Sequence, residues 1–250
     1  DKVLMLTVAR IVISDRGGTL AEHLDRVAKS AAPKPLTATV KKSFPREDEG
    51  PAQRPDLVYF NGLGGFTRDG REYVIATGRA QTTPAPWVNV LANRQFGTVI
   101  SESGSAYTWS ENAHLFRLTP WHNDAVEDPS GEAFYIRDEE TGRVWSPAPQ
   151  PAGGGAPYVC RHGHGYTVFE HTRDELFSET TVYAAIASPV KFTAVTLRNL
   201  SDRPRRVCIT GYCEWVLGER RDQSAMHVVT HLDPQSGAIF ARNAFSLDFS

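Results

Sequence analysis

From Leu57 onward the chain is a succession of short alternating segments broken by turn-forming pairs, and few architectures accept such a pattern. GGF and REYVIAT flank Asp69-Gly70, a pair suited to the positive φ of a tight hairpin. The segments 96–101 and 106–110 flank Ser103-Gly104 in the same way, 132–137 and 143–145 flank DEETG, 158–161 and 166–171 flank HGHG, and 227–233 and 238–245 flank PQSG. Helical periodicity is almost absent over this length. Repeated hairpins of this kind predict an all-β fold, a large antiparallel sandwich. Two longer runs, KFTAVTLRNL and RRVCITGYCEWVL, are joined through SDRP. In the second, Val207, Ile209, Gly211, Cys213, Trp215 and Leu217 share one face by the strand period, and this mostly apolar set is expected to look into the core.

The preceding residues read differently. Residues 1–29 are expected to form a partly helical arm: residues 1–13 are apolar enough for either helix or strand, and Thr19 can cap a short helix in which Leu20, Leu24 and Val27 share a face and Glu22 completes a capping box. Residues 30–56, rich in Pro, Lys and Glu, read as an extended linker. The sandwich then occupies 57–250, and the final run SLDFS carries no closing turn, so the domain is expected to continue beyond it.

Charge and cysteine content narrow the function. Lys plus Arg number 27 against 29 for Asp plus Glu, a net charge of −2 with no long basic or acidic block, which argues against a nucleic-acid surface. No uninterrupted apolar run is long enough to cross a bilayer and the start lacks the layout of a secretory signal, so a soluble, cytoplasmic domain without direct membrane contact is expected. Cys160, Cys208 and Cys213 show no CxxC or Cys/His zinc spacing; the last two point to opposite faces of one strand and cannot bridge within it, which suits a reducing compartment. No cofactor or metal is expected.

The stretch from Tyr59 to Trp121 carries three of the five tryptophans among prolines, amides, hydroxyls and imidazoles. A pyranose offers an apolar C–H face to an aromatic ring and a rim of hydroxyls to polar side chains, so such a mixture suits carbohydrate. Core packing is the ordinary alternative for any one tryptophan. The residues expected nearest a bound sugar are Trp87, Asn89, Trp109, Asn112, His114, Arg117 and Trp121. A sugar hydrolase also needs paired carboxylates. Glu102, Asp124, Asp128, Glu132, Asp138 and Glu139 are candidates, but turn chemistry explains most of them, and no catalytic residue is assigned. His162 and His164 could present two imidazoles on one side of an extended segment, although HGHG reads first as a turn. The glycine-rich NGLGG at 61–65 precedes a strand and not a helix, which disfavours a phosphate loop. No G-x-S-x-G elbow occurs.

YFNGLGGF at 59–66, DGREY at 69–73, TPAPWVNV at 83–90, FG at 96–97, YTWS at 107–110 and LTPW at 118–121 together resemble the amino-terminal sandwich of the inverting β-glucoside phosphorylases, once glycosyltransferase family thirty-six and now glycoside hydrolase family ninety-four. DPSGEA at 128–133, YIRDE at 135–139, RHGHGY at 161–166, RPRR at 203–206 and GYCEWVLG at 211–218 resemble the phosphorylase-like module of cyclic β-1,2-glucan synthases. The sequence departs from that pattern at Glu111-Asn112-Ala113-His114 and at His122. The resemblance implies a supersandwich like that of galactose mutarotase, followed in the family by a helical linker and an (α/α)6 barrel that supplies the proton-donating carboxylic acid while phosphate attacks the anomeric carbon. It implies a non-catalytic, carbohydrate-associated domain partnered by β-glucan or an oligosaccharide, by that barrel of the same polypeptide, and by a second copy in a candidate homodimer. A parent glucan synthase would work at the inner face of the bacterial inner membrane. A purely architectural docking domain and an autonomous mutarotase-like epimerase using His114 or His162 are the alternatives.

Overall fold

The computed structural model describes Thr19, Ala21, Glu22 and residues 56–249 apart from 79, 80, 154–156 and 247. The expected arm and linker therefore lie almost wholly outside the described residues. What is described of the arm keeps the reciprocal cap. Thr19 N–H donates to Glu22 Oε2 (2.7 Å), Glu22 N–H donates to Thr19 Oγ1 (3.4 Å), and Ala21 and Glu22 are helical.

The rest is built from fourteen strands among the described residues, paired antiparallel throughout. A six-stranded sheet runs in the order β1 (Gly64–Phe66), β2 (Glu72–Thr77), β8 (Tyr158–Gly163), β9 (Tyr166–Arg173), β10 (Leu176–Ala184) and β11 (Lys191–Asn199). Against one end of its inner face packs the sheet of β3 (Val88–Ala92), β4 (Phe96–Ser101) and β5 (Ala106–Ser110), joined through Ile75, Leu91, Ile100, Cys160, Phe169 and Val182. Against the other end packs the sheet ordered β12 (Val207–Cys213), β6 (Glu132–Asp138) and β7 (Val144–Trp145), where Ile136, Trp145 and Leu176 form a second apolar cluster. The hairpin of β13 (Val228–Leu232) and β14 (Ile239–Asn243) follows a short helix, α1 (Arg221–Ser224). This is the antiparallel all-β architecture that the turn pattern predicts.

Turn chemistry sets the hairpins. Between β8 and β9 only His164 and Gly165 intervene, with Gly165 at φ 91°, a conformation that L side chains rarely adopt. The HGHG motif is thereby split. His162 points into the core, its Nε2 3.0 Å from the Trp87 carbonyl and its Nδ1 3.0 Å from Thr167 Oγ1, whereas His164 is exposed in the turn. Burial pushes the His162 imidazole below its ordinary range, although its bond to the Trp87 carbonyl works the other way.

β11 and β12, adjacent in sequence, do not pair. The chain crosses from one sheet to another and β12 lies beside β6, with Ile209 opposite Ile136. The expected burial of the Ile209 face holds at its ends, where Val207 packs on the second cluster and Leu217 is 4% exposed, and is overturned between them: Ile209 is 43% exposed, and Gly211 and Cys213 are exposed too. β12 is an edge strand whose outer side has no further strand against it among the described residues, and the chain becomes buried only at Val216 and Leu217.

Two ion pairs tie the layers together. Lys191 of β11 reaches across the sandwich to Glu132 of β6 (2.6 Å), and Glu132 also accepts hydrogen bonds from Thr108 (2.5 Å) and Thr119 (2.7 Å). Burial alone would raise the Glu132 carboxyl, but Lys191 and the two threonine hydroxyls outweigh it and hold the group below its ordinary range. Arg205 and Asp138, with side chains 3% and 1% exposed, form the second pair at 2.5 Å, and Arg205 also donates to the Asp174 carbonyl (2.7 Å).

Candidate functional site

The segment 82–87, TTPAPW, enters β3 as a strap over the sandwich. Its two prolines fix φ and remove donors, so side chains must hold it down. Glu102, 4% exposed at the end of β4, does so. One carboxylate oxygen accepts the Trp87 N–H (2.7 Å), the other bonds the Thr83 hydroxyl, and the Glu102 N–H donates back to the Trp87 carbonyl (3.1 Å). Burial pushes the Glu102 carboxyl above its ordinary range against these bonds.

Opposite the strap, residues 121–128 form a loop organised by its own acids. Asp124 accepts from the N–H groups of Val126 (2.9 Å) and Glu127 (3.0 Å). Asp128 sits at φ 45° and takes the hydroxyls of Ser101 (2.6 Å) and Ser103 (2.5 Å) on its Oδ2. Asn123 in the same loop, at φ 50°, is a second non-glycine residue in the left-handed region. Such strain persists only where surrounding structure enforces it, and it gathers at functional sites.

Between strap and loop runs a groove of about 320 Å³ lined by Pro86, Val88, Tyr107, Trp121, His122 and Asn123 among others. Tyr107 and Trp121 form its aromatic wall, and Trp109 extends them into a step of three rings. Trp109 and Tyr107 lie with centroids 5.3 Å apart, Tyr107 and Trp121 5.4 Å apart. Trp121 is 47% exposed and offers its indole to the groove, while Tyr107 is buried behind it. Gly97, opposite Trp109 in the β4–β5 register, lets that indole lie on the strand, because any Cβ there would run into the ring.

The seven residues expected from sequence separate into three groups. Trp109 and Trp121 share the step, through Tyr107, which the sequence reading did not single out. Asn112, His114 and Arg117 gather beyond it. Asn112 Oδ1 accepts from the N–H groups of His114 and Leu115, Arg117 bridges its backbone to both Trp109 and Gly218, and the Arg117 guanidinium meets His114 Nδ1 at 3.2 Å. Because guanidinium can only donate, that His114 nitrogen accepts, and Nε2–H faces Glu219 at 3.1 Å. Trp87 and Asn89 serve the interior: Trp87 packs edge-on to Tyr73, and Asn89 Nδ2 donates to Gly163, Tyr166 and Thr167. Asp128 was legible as a turn residue, and nothing local in the sequence signals that it also lines a groove.

Among the described residues no group of three or more His, Cys, Asp or Glu side chains is arranged to hold a metal ion, and no helix is long and apolar enough to cross a membrane. The arrangement can stack an apolar ring face on Trp121 and hydrogen-bond its rim.

Comparison with known proteins gives the chain's relatives. Residues 71–250 match the family model described as glycosyl hydrolase 94, supersandwich domain. Over 98% of its length the chain is 36% identical to the cyclic beta-(1,2)-glucan synthase NdvB of Rhizobium meliloti (strain 1021), covering 9% of that protein. It is 33% identical over 61% of its length to an N,N'-diacetylchitobiose phosphorylase of Vibrio furnissii, covering 19% of that protein. With a 3-O-beta-D-glucopyranosyl-beta-D-glucuronide phosphorylase of Paenibacillus borealis it shares 34% identity over 58% of its length, 18% of that protein. The chain thus spans a fifth or less of the length of these relatives.

Proposed function

The chain belongs to the glycosyl hydrolase 94 supersandwich family, and from that premise we propose that it is the non-catalytic, carbohydrate-facing domain of a cyclic β-1,2-glucan synthase or related β-glucan phosphorylase. In this reading the Trp121 groove seats a glucan ring, and the acid that protonates the departing sugar belongs to an (α/α)6 barrel elsewhere in the same polypeptide. Work at the inner face of the inner membrane and pairing with a second copy belong to the same proposal.

The supporting observation is Trp121, nearly half exposed at the mouth of a preformed groove and braced from behind by Tyr107. A large indole left open to water loses apolar burial, and stacking on a sugar face restores it. Relatives named for different glycans, a cyclic glucan and two disaccharides, align with this chain. A sandwich that shapes a site while another domain performs the bond chemistry fits that variety.

Titrating the chain with β-1,2-linked gluco-oligosaccharides, followed by calorimetry and tryptophan fluorescence, tests the proposal. Binding with a fluorescence change that Trp121→Ala abolishes is expected. Neither heat nor a spectral change at millimolar glycan sinks it.

A docking role is the second reading, and the β13–β14 hairpin favours it. Val229, Leu232, Ile239 and Phe240 are all at least half exposed there. Apolar substitution to Ser at Leu232 and Ile239 that weakens assembly of the parent enzyme without altering glycan affinity would support this role for the hairpin.

A further inference from the structure

A second groove lies on the other side of the strap. It measures about 380 Å³ and is lined by Thr82, Thr83, Glu102, Gln150 and Tyr158 among others, within the ~300–1,000 Å³ range of small-molecule sites. Ala85, Pro86, Ala125 and Asp128 line both grooves, so the two meet across the strap and the facing loop.

Asp128 stands at this junction with half of its carboxylate in use. Both serine hydroxyls go to Oδ2, and among the described residues no donor reaches Oδ1. A charged acceptor held by a strained backbone and two hydroxyls, with one oxygen left over, is poised to take a hydroxyl from a ligand lying across the junction. The walls give the sign of that ligand. Among the described residues no Lys or Arg lines either groove, His122 supplies one imidazole, and Glu102, Asp124 and Asp128 supply carboxyls. Among the described residues an anion would meet three carboxyls against the single imidazole of His122, whereas a neutral polyol meets hydroxyls, carboxylate oxygens and the apolar faces of Pro86 and Pro149.

We propose that the second groove is a further subsite for the same neutral glucan, with Asp128 the specificity-determining residue that accepts a hydroxyl of the sugar unit crossing the strap. This rests on the reading of the Trp121 groove as a sugar site. A chain occupying both grooves has a minimum length, and phosphate or a sugar phosphate is excluded from them.

The test is a titration of the chain with β-1,2-linked glucobiose and glucotetraose. The tetraose should bind about tenfold more tightly than the biose, the gain of one further charge-assisted hydrogen bond. Thr82 is exposed, so Thr82→Trp fills the second groove at little structural risk; it should bring the tetraose down to the affinity of the biose and leave the biose unchanged. Asp128→Asn tolerates the left-handed backbone and keeps one acceptor for the serines, but turns the unused acceptor into a donor. It should weaken the tetraose about fivefold. Equal affinities for the two sugars, or a ratio that survives Thr82→Trp, overturns the inference while leaving the Trp121 reading intact. Unchanged binding of both sugars in Trp121→Ala overturns that reading and this one with it. Millimolar inorganic phosphate competing with the tetraose also overturns the inference.

Discussion

Tyr158 and His171 stack face to face, ring centroids 3.8 Å apart and 5° from parallel, in neighbouring strands of the six-stranded sheet. His171 Nδ1–H donates to the Pro157 carbonyl (3.0 Å), and Nε2 is buried with no hydrogen-bond partner. A proton added at Nε2 would bury an unpaired charge, and burial holds the imidazole down to about 4, with the nearby Arg173 acting in the same direction. An unfolded histidine titrates near ~6.5. The folded state therefore binds fewer protons between these values. Stability from this residue is complete above the unfolded value, falls with decreasing pH, and levels off below the folded value, a loss of about 3 kcal/mol. Urea midpoints measured from pH 7 to pH 4 should show this fall, and His171→Phe should flatten it.

Arg205→Met leaves the Asp138 carboxylate in the interior without its cation and frees the Asp174 carbonyl. Destabilisation of about 3 kcal/mol is expected. Adding Asp138→Asn should recover part of it, because the neutral amide is cheaper to bury. A double-variant cycle by chemical denaturation measures the coupling.

Lys191→Met removes the cation from Glu132 and leaves two threonine donors. With Lys191 present the folded carboxyl lies below its unfolded range; without it only the two threonine hydroxyls oppose burial, the largest single influence on the group, and the carboxyl is expected to move above that range. The pH dependence attached to this group should consequently reverse: the variant gains stability as the pH falls through the carboxylate range, and the parent chain loses it. Thermal denaturation at pH 7 and pH 4 decides the sign.

Gly97→Ala places a methyl group in the indole of Trp109. A loss of about 2 kcal/mol is expected from the overpacking. The displaced indole should also shift tryptophan emission, and the Trp109→Leu background should accept the alanine with a smaller penalty.

The hairpins were legible because their turns are written in two or three residues, as at Asp69-Gly70 and Ser103-Gly104, where local backbone demands leave few choices. β10 was not. Its inward positions include Ser178 and Thr180 beside Leu176 and Val182, so the buried face carries no clean apolar alternation. Partner choice between strands was equally hidden, and β12 shows why: alternation fixes which residues share a face but says nothing about whether another layer covers it. At the site, the Tyr59–Trp121 stretch did contain the groove-lining indole of Trp121. The roles of Trp87 and Asn89 depend on bonds to residues of β8 and β9 far along the chain, which spacing cannot reveal. Glu102 and Asp128 were visible as carboxylates, but the strap that one holds and the junction that the other occupies exist only after folding.

The placement of β6 between β7 and β12 bears on biosynthesis. Residues 132–138 leave the ribosome well before residues 207–213, yet β12 supplies one whole side of the ladder around β6. Until that later segment emerges, β6 has only the two-residue β7 beside it, while the hairpins of the larger sheet can close as they are made. Nascent chains stalled before residue 207 should therefore expose the β6 edge to chaperones or to one another, and release past residue 213 should bury it.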